Sequence, residues 1–232
     1  TIMMKQLYTI TAILLFFTMA VNGQDEELKY LNVNEVYTTI NPKGGLFWDG
    51  LSESTYTVPY TCQGNGAQAI FAANSWMAML DDVENLYGSM VRYAHNGELL
   101  HRTPGMLDQA TGLPFVDDPL AEGRVYSVSR LEIESLLEDL EDGTVDNIIP
   151  ADISEWPARG NESFKGMLDN QNAAPFVDQN GDGLYDPSDG DYPFIGGNPT
   201  DRIPDQLLYQ IENDSSSDSG AGIELHSMIY AY

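Results

Sequence analysis

Residues 223–232 read Ile-Glu-Leu-His-Ser-Met-Ile-Tyr-Ala-Tyr. Branched and aromatic side chains at this density suit a pleated, half-buried surface, so the stretch predicts a β-strand. No turn residue or cap closes it, so its strand partners are expected beyond residue 232 and the chain is expected to be a piece of a longer protein. Two further runs, Glu35–Ile40 and Thr55–Tyr60, combine Val, Tyr and Thr around the Asn-Pro-Lys-Gly-Gly loop at 41–45, and they read as strands joined by loops. Ala67 to Leu80 is apolar, and periodicity alone leaves it open between strand and helix. Asn96-Gly97 is a hairpin signal. The fold class expected from these elements is mainly β and sandwich-like, with one or two helices and long ordered loops, in an incomplete domain.

The clearest helix covers about 130–141. Ser129 and Glu132 have the spacing of a capping box, Ile133, Leu136, Leu137 and Leu140 form one apolar face, and Gly143 supplies the stop. Glu134, Glu138 and Glu141 share helical spacing without a histidine, which fits a solvated face. From Pro150 to Pro204 the chain is dense in Pro, Gly, Asn and Asp, and Asn213 to Gly222 is a Ser/Asp/Gly segment; both predict loops.

Within that irregular region, residues 178–193 read Asp-Gln-Asn-Gly-Asp-Gly-Leu-Tyr-Asp-Pro-Ser-Asp-Gly-Asp-Tyr-Pro. Asp178, Asn180, Asp182, Asp186 and Asp189 stand at positions one, three, five, nine and twelve of a calcium loop, and Gly183 stands at six. Calcium takes several hard oxygens, so a chain wrapping it must offer a ligand at nearly every second residue. Leu184 would coordinate through its backbone carbonyl. Gly183 would take the positive φ of the mid-loop turn. Pro175 ahead of the loop, Pro187 inside it and Gly190 after it argue against flanking helices. The expected role is a structural Ca2+ clip, not a calcium switch; a solvated Asp/Asn/Gly turn is the bland alternative.

The chain carries 10 Lys+Arg against 36 Asp+Glu, a formal charge of −26 over its 232 residues. Such a surface repels phosphates, so no nucleic acid partner is expected. Cys62 is the sole cysteine, which excludes an intramolecular disulfide and suggests a structural thiol. Lys5 precedes an apolar run from Leu7 to Ala20, and Val21-Asn22-Gly23 offers small residues for cleavage before Gln24. Residues 1–23 therefore read as an export signal, with translation expected to start at Met3 or Met4. Residues 24–232 would form a secreted or outer-surface β-rich region with no transmembrane segment in the mature chain.

No His-Glu-x-x-His or Gly-x-Ser-x-Gly motif occurs, and His95, His101 and His226 are scattered. Catalytic residues are therefore not assigned. Trp48, Trp76 and Trp156 are expected in a β-rich core, with stacking on sugar rings as the alternative. Asn161-Glu162-Ser163 and Asn213-Asp214-Ser215 match the glycosylation pattern.

Several pieces in order resemble the large secreted or cell-surface proteins of the Bacteroidota that leave by type IX secretion. They are Gly45-Leu46-Phe47-Trp48-Asp49, Ala69 to Trp76, Ile153 to Asn161, and above all Ala174-Pro175-Phe176-Val177-Asp178 through Gly190-Asp191-Tyr192-Pro193, followed by Asn213-Asp214 and Gly222-Ile223-Glu224. The resemblance implies a β-rich N-terminal region with a C-terminal sorting domain farther on. Residues 81–130 depart from the pattern. The function expected is a non-catalytic, calcium-stabilised surface protein serving adhesion or binding, with a glycan or a protein as extracellular ligand. The alternative is an accessory region of an extracellular hydrolase acting on polysaccharide or protein.

Overall fold

The structure is a computed structural model. It describes residues 28–48, 54–59, 66–95, 98–100, 102–121, 123–164, 167, 171, 173–196, 202–216 and 220–232. The export signal, Cys62, the Asn96-Gly97 pair and His101 lie outside the described residues.

Strands dominate, as the composition of the runs predicts. Six antiparallel two-stranded ladders are present among the described residues. Near the N-terminus, β1 (Lys29–Leu31) pairs with β2 (Thr38–Ile40), β3 (Tyr56–Val58) with β4 (Ala67–Ile70), and β5 (Trp76–Leu80) with β6 (Leu86–Met90). The ambiguous run from Ala67 to Leu80 thus resolves into two strands in separate ladders. β7 (Arg92–His95) pairs with β8 (Glu98–Leu100) and aligns His95 with Glu98, so strands flank the expected hairpin turn on both sides.

The larger sheet comes mostly from the C-terminal half. β9 (Thr103–Pro104) is followed by the small β10 (Leu107–Asp108) and β11 (Leu113–Pro114) ladder and by β12 (Tyr126–Ser129). β13 (Phe176–Val177) pairs with β14 (Tyr192–Pro193), and two long strands follow, β15 (Gln206–Asn213) and β16 (Glu224–Ala231). In the four-stranded sheet β15 is central: β12 and β9 pair along one side of it and β16 along the other.

Side chains alternate across a strand, and β15 is buried on both faces. Leu207, Tyr209 and Ile211 enter the main core with Tyr126, Val128 and Trp156. On the opposite face Leu208 packs with Leu31, Ile40, Val125 and Ala231, which sets the β1–β2 ladder over the sheet in a sandwich-like layer. Trp156 is the centre of the main core: its ring lies 5.5 Å from Tyr126 and 4.9 Å from Tyr209, and its Nε1 donates to the Pro175 carbonyl at 3.1 Å.

Helix α1 (Arg130–Asp139) begins as its caps predict. Glu132 N donates to Ser129 Oγ at 3.3 Å, and Ser129 N donates to Glu132 Oε2 at 2.8 Å. Ile133 and Leu136 are buried in the core, with Leu137 and Leu140 packed half-buried against it. The last predicted turn tightens into a 3-10 helix at Leu140–Asp142, and Gly143 caps it at φ 86°. The Pro150–Pro204 region is less irregular than its composition suggests, since it holds the short helix α2 (Ala151–Ser154) and the β13–β14 ladder. Its loops are pinned because buried Trp156, Phe164 and Tyr185 tie them to the core. No helix among the described residues is long and apolar enough to cross a membrane.

Candidate metal loop and the buried polar face

The Asp178–Asp189 loop is the excursion between β13 and β14, so a strand leads in and a strand leads out. Proline at 175 and 187 and glycine at 190 leave no room for paired helices; a 3-10 turn at Pro187–Asp189 ends at Gly190 instead. The loop is anchored by Tyr185. Its ring is buried against Phe176 at 5.3 Å, its hydroxyl donates to the Ile153 carbonyl at 2.7 Å, and its backbone N donates to the Arg159 carbonyl at 2.7 Å.

The predicted ligands fall into two groups. Asp178 turns into the loop and accepts from Gly181 N at 2.6 Å and from Gly183 N at 2.8 Å, joining position one to positions four and six. Gly183 takes φ 79°, the positive value foreseen for the mid-loop turn. Asn180 Nδ2 bridges Asp182 Oδ2 at 3.2 Å and Asp189 Oδ2 at 3.3 Å, which brings positions three, five and twelve together. Asp186 points elsewhere and caps the 3-10 turn through Ser188 N at 2.8 Å. Leu184 is 46% exposed, and its backbone N donates to Asp182 Oδ1 at 2.7 Å. Among the described residues no three His, Cys, Asp or Glu side chains converge as a ready metal cluster. The donor set is nevertheless all oxygen and carboxylate-rich, which fits a hard cation. In this conformer an amide donor of Asn180 lies between two carboxylates that a cation would otherwise draw together.

Sequence spacing misses the residue that holds this loop shut. Asp191 lies two residues past the twelfth position, is fully buried, and accepts from Gln179 N at 2.8 Å and Asp186 N at 2.9 Å. Burial pushes its carboxyl above the usual carboxylate range, against the pull of those two amide hydrogen bonds. Its extended neighbours gave no periodic signal, because its function depends on closing a loop and not on a face.

A second polar group lies on the β1–β2 side of β15. Arg102 and Glu212 pair at 2.8 Å, with side chains 1% and 2% exposed. Arg102 also reaches Ser75 Oγ at 2.9 Å, the Ser75 carbonyl at 2.6 Å and Ser89 Oγ at 3.3 Å. Burial raises the Glu212 carboxyl, and the nearby guanidinium partly offsets this. The signal available in the sequence was rarity: Arg102 is one of 10 cationic side chains in a chain with 36 acidic ones.

The remaining candidates divide cleanly. Trp156 and Trp48 are buried, whereas Trp76 is 69% exposed and donates through Nε1 to the Val91 carbonyl at 3.2 Å. His226 is exposed on β16 and is held between Tyr209 Oη and Glu224 Oε1, each at 2.6 Å, a hydrogen-bonded role. Glu134, Glu138 and Glu141 are all exposed, as a solvated face requires. Asn161 is buried, with Nδ2 donating to the Trp156 carbonyl at 2.9 Å, and Asn213 is buried with Nδ2 donating to the Gly105 carbonyl at 3.0 Å. Both sequons therefore spend their amide nitrogens inside the fold.

No protein-family model matches the chain, and neither the curated proteins nor the solved structures contain a significant match.

Proposed function

We propose that this chain belongs to a secreted or outer-surface, non-catalytic protein that serves adhesion or binding and is stabilised by Ca2+. The export-signal pattern at 1–23 and the resemblance to Bacteroidota proteins of type IX secretion support the compartment. The observation that supports the calcium reading is the Asn180 amide, which bonds Asp182 and Asp189 and so keeps three predicted ligands side by side. Asp178, Asn180, Asp182, Asp186 and Asp189 would hold the ion through side-chain oxygens and Leu184 through its carbonyl, with Asp186 turning from its cap to join them. A bound ion would neutralise crowded carboxylates and order the loop. A Kd of about 10⁻⁴–10⁻³ M is expected, as for extracellular calcium modules.

Calorimetry and thermal melting with CaCl2 on the full chain test this. Saturable heat and a higher Tm, both lost in Asp178→Ala, are expected. Absence of both in the wild-type chain refutes the clip.

A further inference from the structure

The face of β15 that turns towards the N-terminal ladders is polar where a packed face would be apolar. Along it run Gln206, Leu208, Gln210 and Glu212. Gln206 is satisfied, since its Nε2 donates to the Tyr30 carbonyl at 2.8 Å and its Oε1 accepts from Asn32 N at 3.1 Å. Gln210 is 1% exposed, and neither its Nε2 nor its Oε1 has a hydrogen-bond partner. Glu212 spends Oε1 on Arg102, while its buried Oε2 has none. An unmet buried polar group is costly, so three such atoms on two adjacent same-face residues are a concentrated penalty.

All three atoms belong to residues lining one open cleft of about 380 Å³, a size within the range of small-molecule sites. Leu225 and Ser227 of β16 stand opposite Glu212 and Gln210 in register, and Leu46 and Ile229 complete apolar walls. Gly44 packs against the carboxylate there: at φ 88° an added methyl group would collide with Glu212 Oε2.

The unmet set consists of one carboxylate acceptor, one amide acceptor and one amide donor pair, about 7 Å apart along the strand at the Cα positions. A cation would satisfy the acceptors and leave the amide donors stranded. An anion would face the Glu212 carboxylate on a chain of net charge −26. A hydroxyl both donates and accepts, so a molecule bearing several hydroxyls matches donors and acceptors alike. Because Arg102 balances Glu212, the lining is close to neutral and suits a neutral molecule. We propose that this cleft is a binding site for a neutral polyhydroxylated ligand, a mono- or disaccharide unit, held by Gln210 and Glu212 with its C–H face against Leu46, Leu225 and Ile229. The site names a ligand class for the binding role proposed above and rests on that role, but it does not use the calcium loop.

Ligand-observed NMR and calorimetry on the full chain would use glucose, galactose, mannose, maltose, lactose and cellobiose, with ethylammonium and acetate as charged controls. At least one sugar should bind with a Kd of about 1 mM or tighter. Gln210→Leu should weaken it by about tenfold, the loss of one or two hydrogen bonds. Ser227→Phe, on the edge strand and away from the buried ion pair, should block the cleft and abolish binding in a chain that still folds. If Gln210→Leu fails to fold, Ser227→Phe alone decides. No sugar bound, sugar binding indifferent to Ser227→Phe, or ethylammonium bound in place of sugars would each overturn the proposal. Adding CaCl2 in the same cell separates the two readings. Calcium heat without sugar binding removes the cleft proposal alone, and sugar binding without calcium heat removes the clip alone.

Discussion

Residues 102–232 and the ladders between 56 and 90 use their apolar side chains in opposite ways. In the first region Trp156, Tyr126, Tyr209 and Leu207 are fully buried around a four-stranded sheet. In the second, Phe71, Trp76, Leu80, Val83 and Leu86 are more than half exposed on two-stranded ladders. Two strands cannot close a core on themselves, so apolar side chains there gain little by folding alone. A third strand and a covering layer convert the same residue types into stabilisation of about 25 cal/mol per Å² buried. What links the regions is polar: Arg102, on the body, reaches Ser75 and Ser89 on the ladder side and Glu212 on the central strand.

Two tryptophans put this contrast to its hardest test. Trp156→Ala should cost about 3–5 kcal/mol in urea unfolding, because it opens a cavity at the core centre and strands the Pro175 carbonyl. Trp76→Ala should cost less than about 1 kcal/mol, as an exposed substitution does. Equal costs would mean that the ladders are as well packed as the body. Next in size, Arg102→Met should cost about 3 kcal/mol by leaving Glu212 buried without its countercharge, whereas Arg102→Met with Glu212→Leu should recover most of that loss. Failure of the double variant to recover would assign the cost to the lost Ser75 and Ser89 bonds. Asp191→Ala should cost about 2 kcal/mol, since it frees two backbone amides of the 178–189 loop. Ser129→Ala, confined to one helix cap, should cost about 1 kcal/mol.

The smallest effect expected is that of pH. Burial raises the carboxyls of Asp118, Asp191 and Glu212, so the folded chain holds protons that the unfolded chain has released. Their contribution to stability is greatest at acid pH and falls as pH rises through the folded-state values. Relief of general repulsion among 36 acidic residues acts in the same direction. In chelator, Tm should be higher at pH 5 than at pH 7.5 by on the order of 2 °C. All three groups lie in the body or on its central strand, so a variant lacking Glu212 should show a weaker dependence.

Local chemistry was legible in the sequence. The α1 helix starts at its capping box and ends by Gly143, because a cap bonds to amides three residues away and needs nothing distant. The loop from Asp178 to Asp189 bends where Gly183 permits, and Asp178 closes it through neighbours within five residues. The strand at 223–232 is present as β16, its residues being suited to a pleat, but the partner expected beyond residue 232 is instead β15, paired with it from Asn213–Glu224 to Gln206–Ala231. The central strand escaped: Gln206, Gln210 and Glu212 alternate with Leu207, Tyr209 and Ile211, and nothing in residues 206–213 says that the polar side is also covered.

Sequence alone thus determined the β-rich class, the helix, the acid-rich loop and the scarcity of positive charge. Tertiary structure decided which carboxylates are buried, that Arg102 is spent inside the fold on Glu212, that Asp191 and not a spaced ligand holds the loop shut, and that Gln210 and Glu212 line a cleft. Capping and turning depend on residues a few positions apart, whereas burial depends on which distant segment lies over a strand. For β15 that segment begins about 175 residues earlier, at Tyr30 and Asn32.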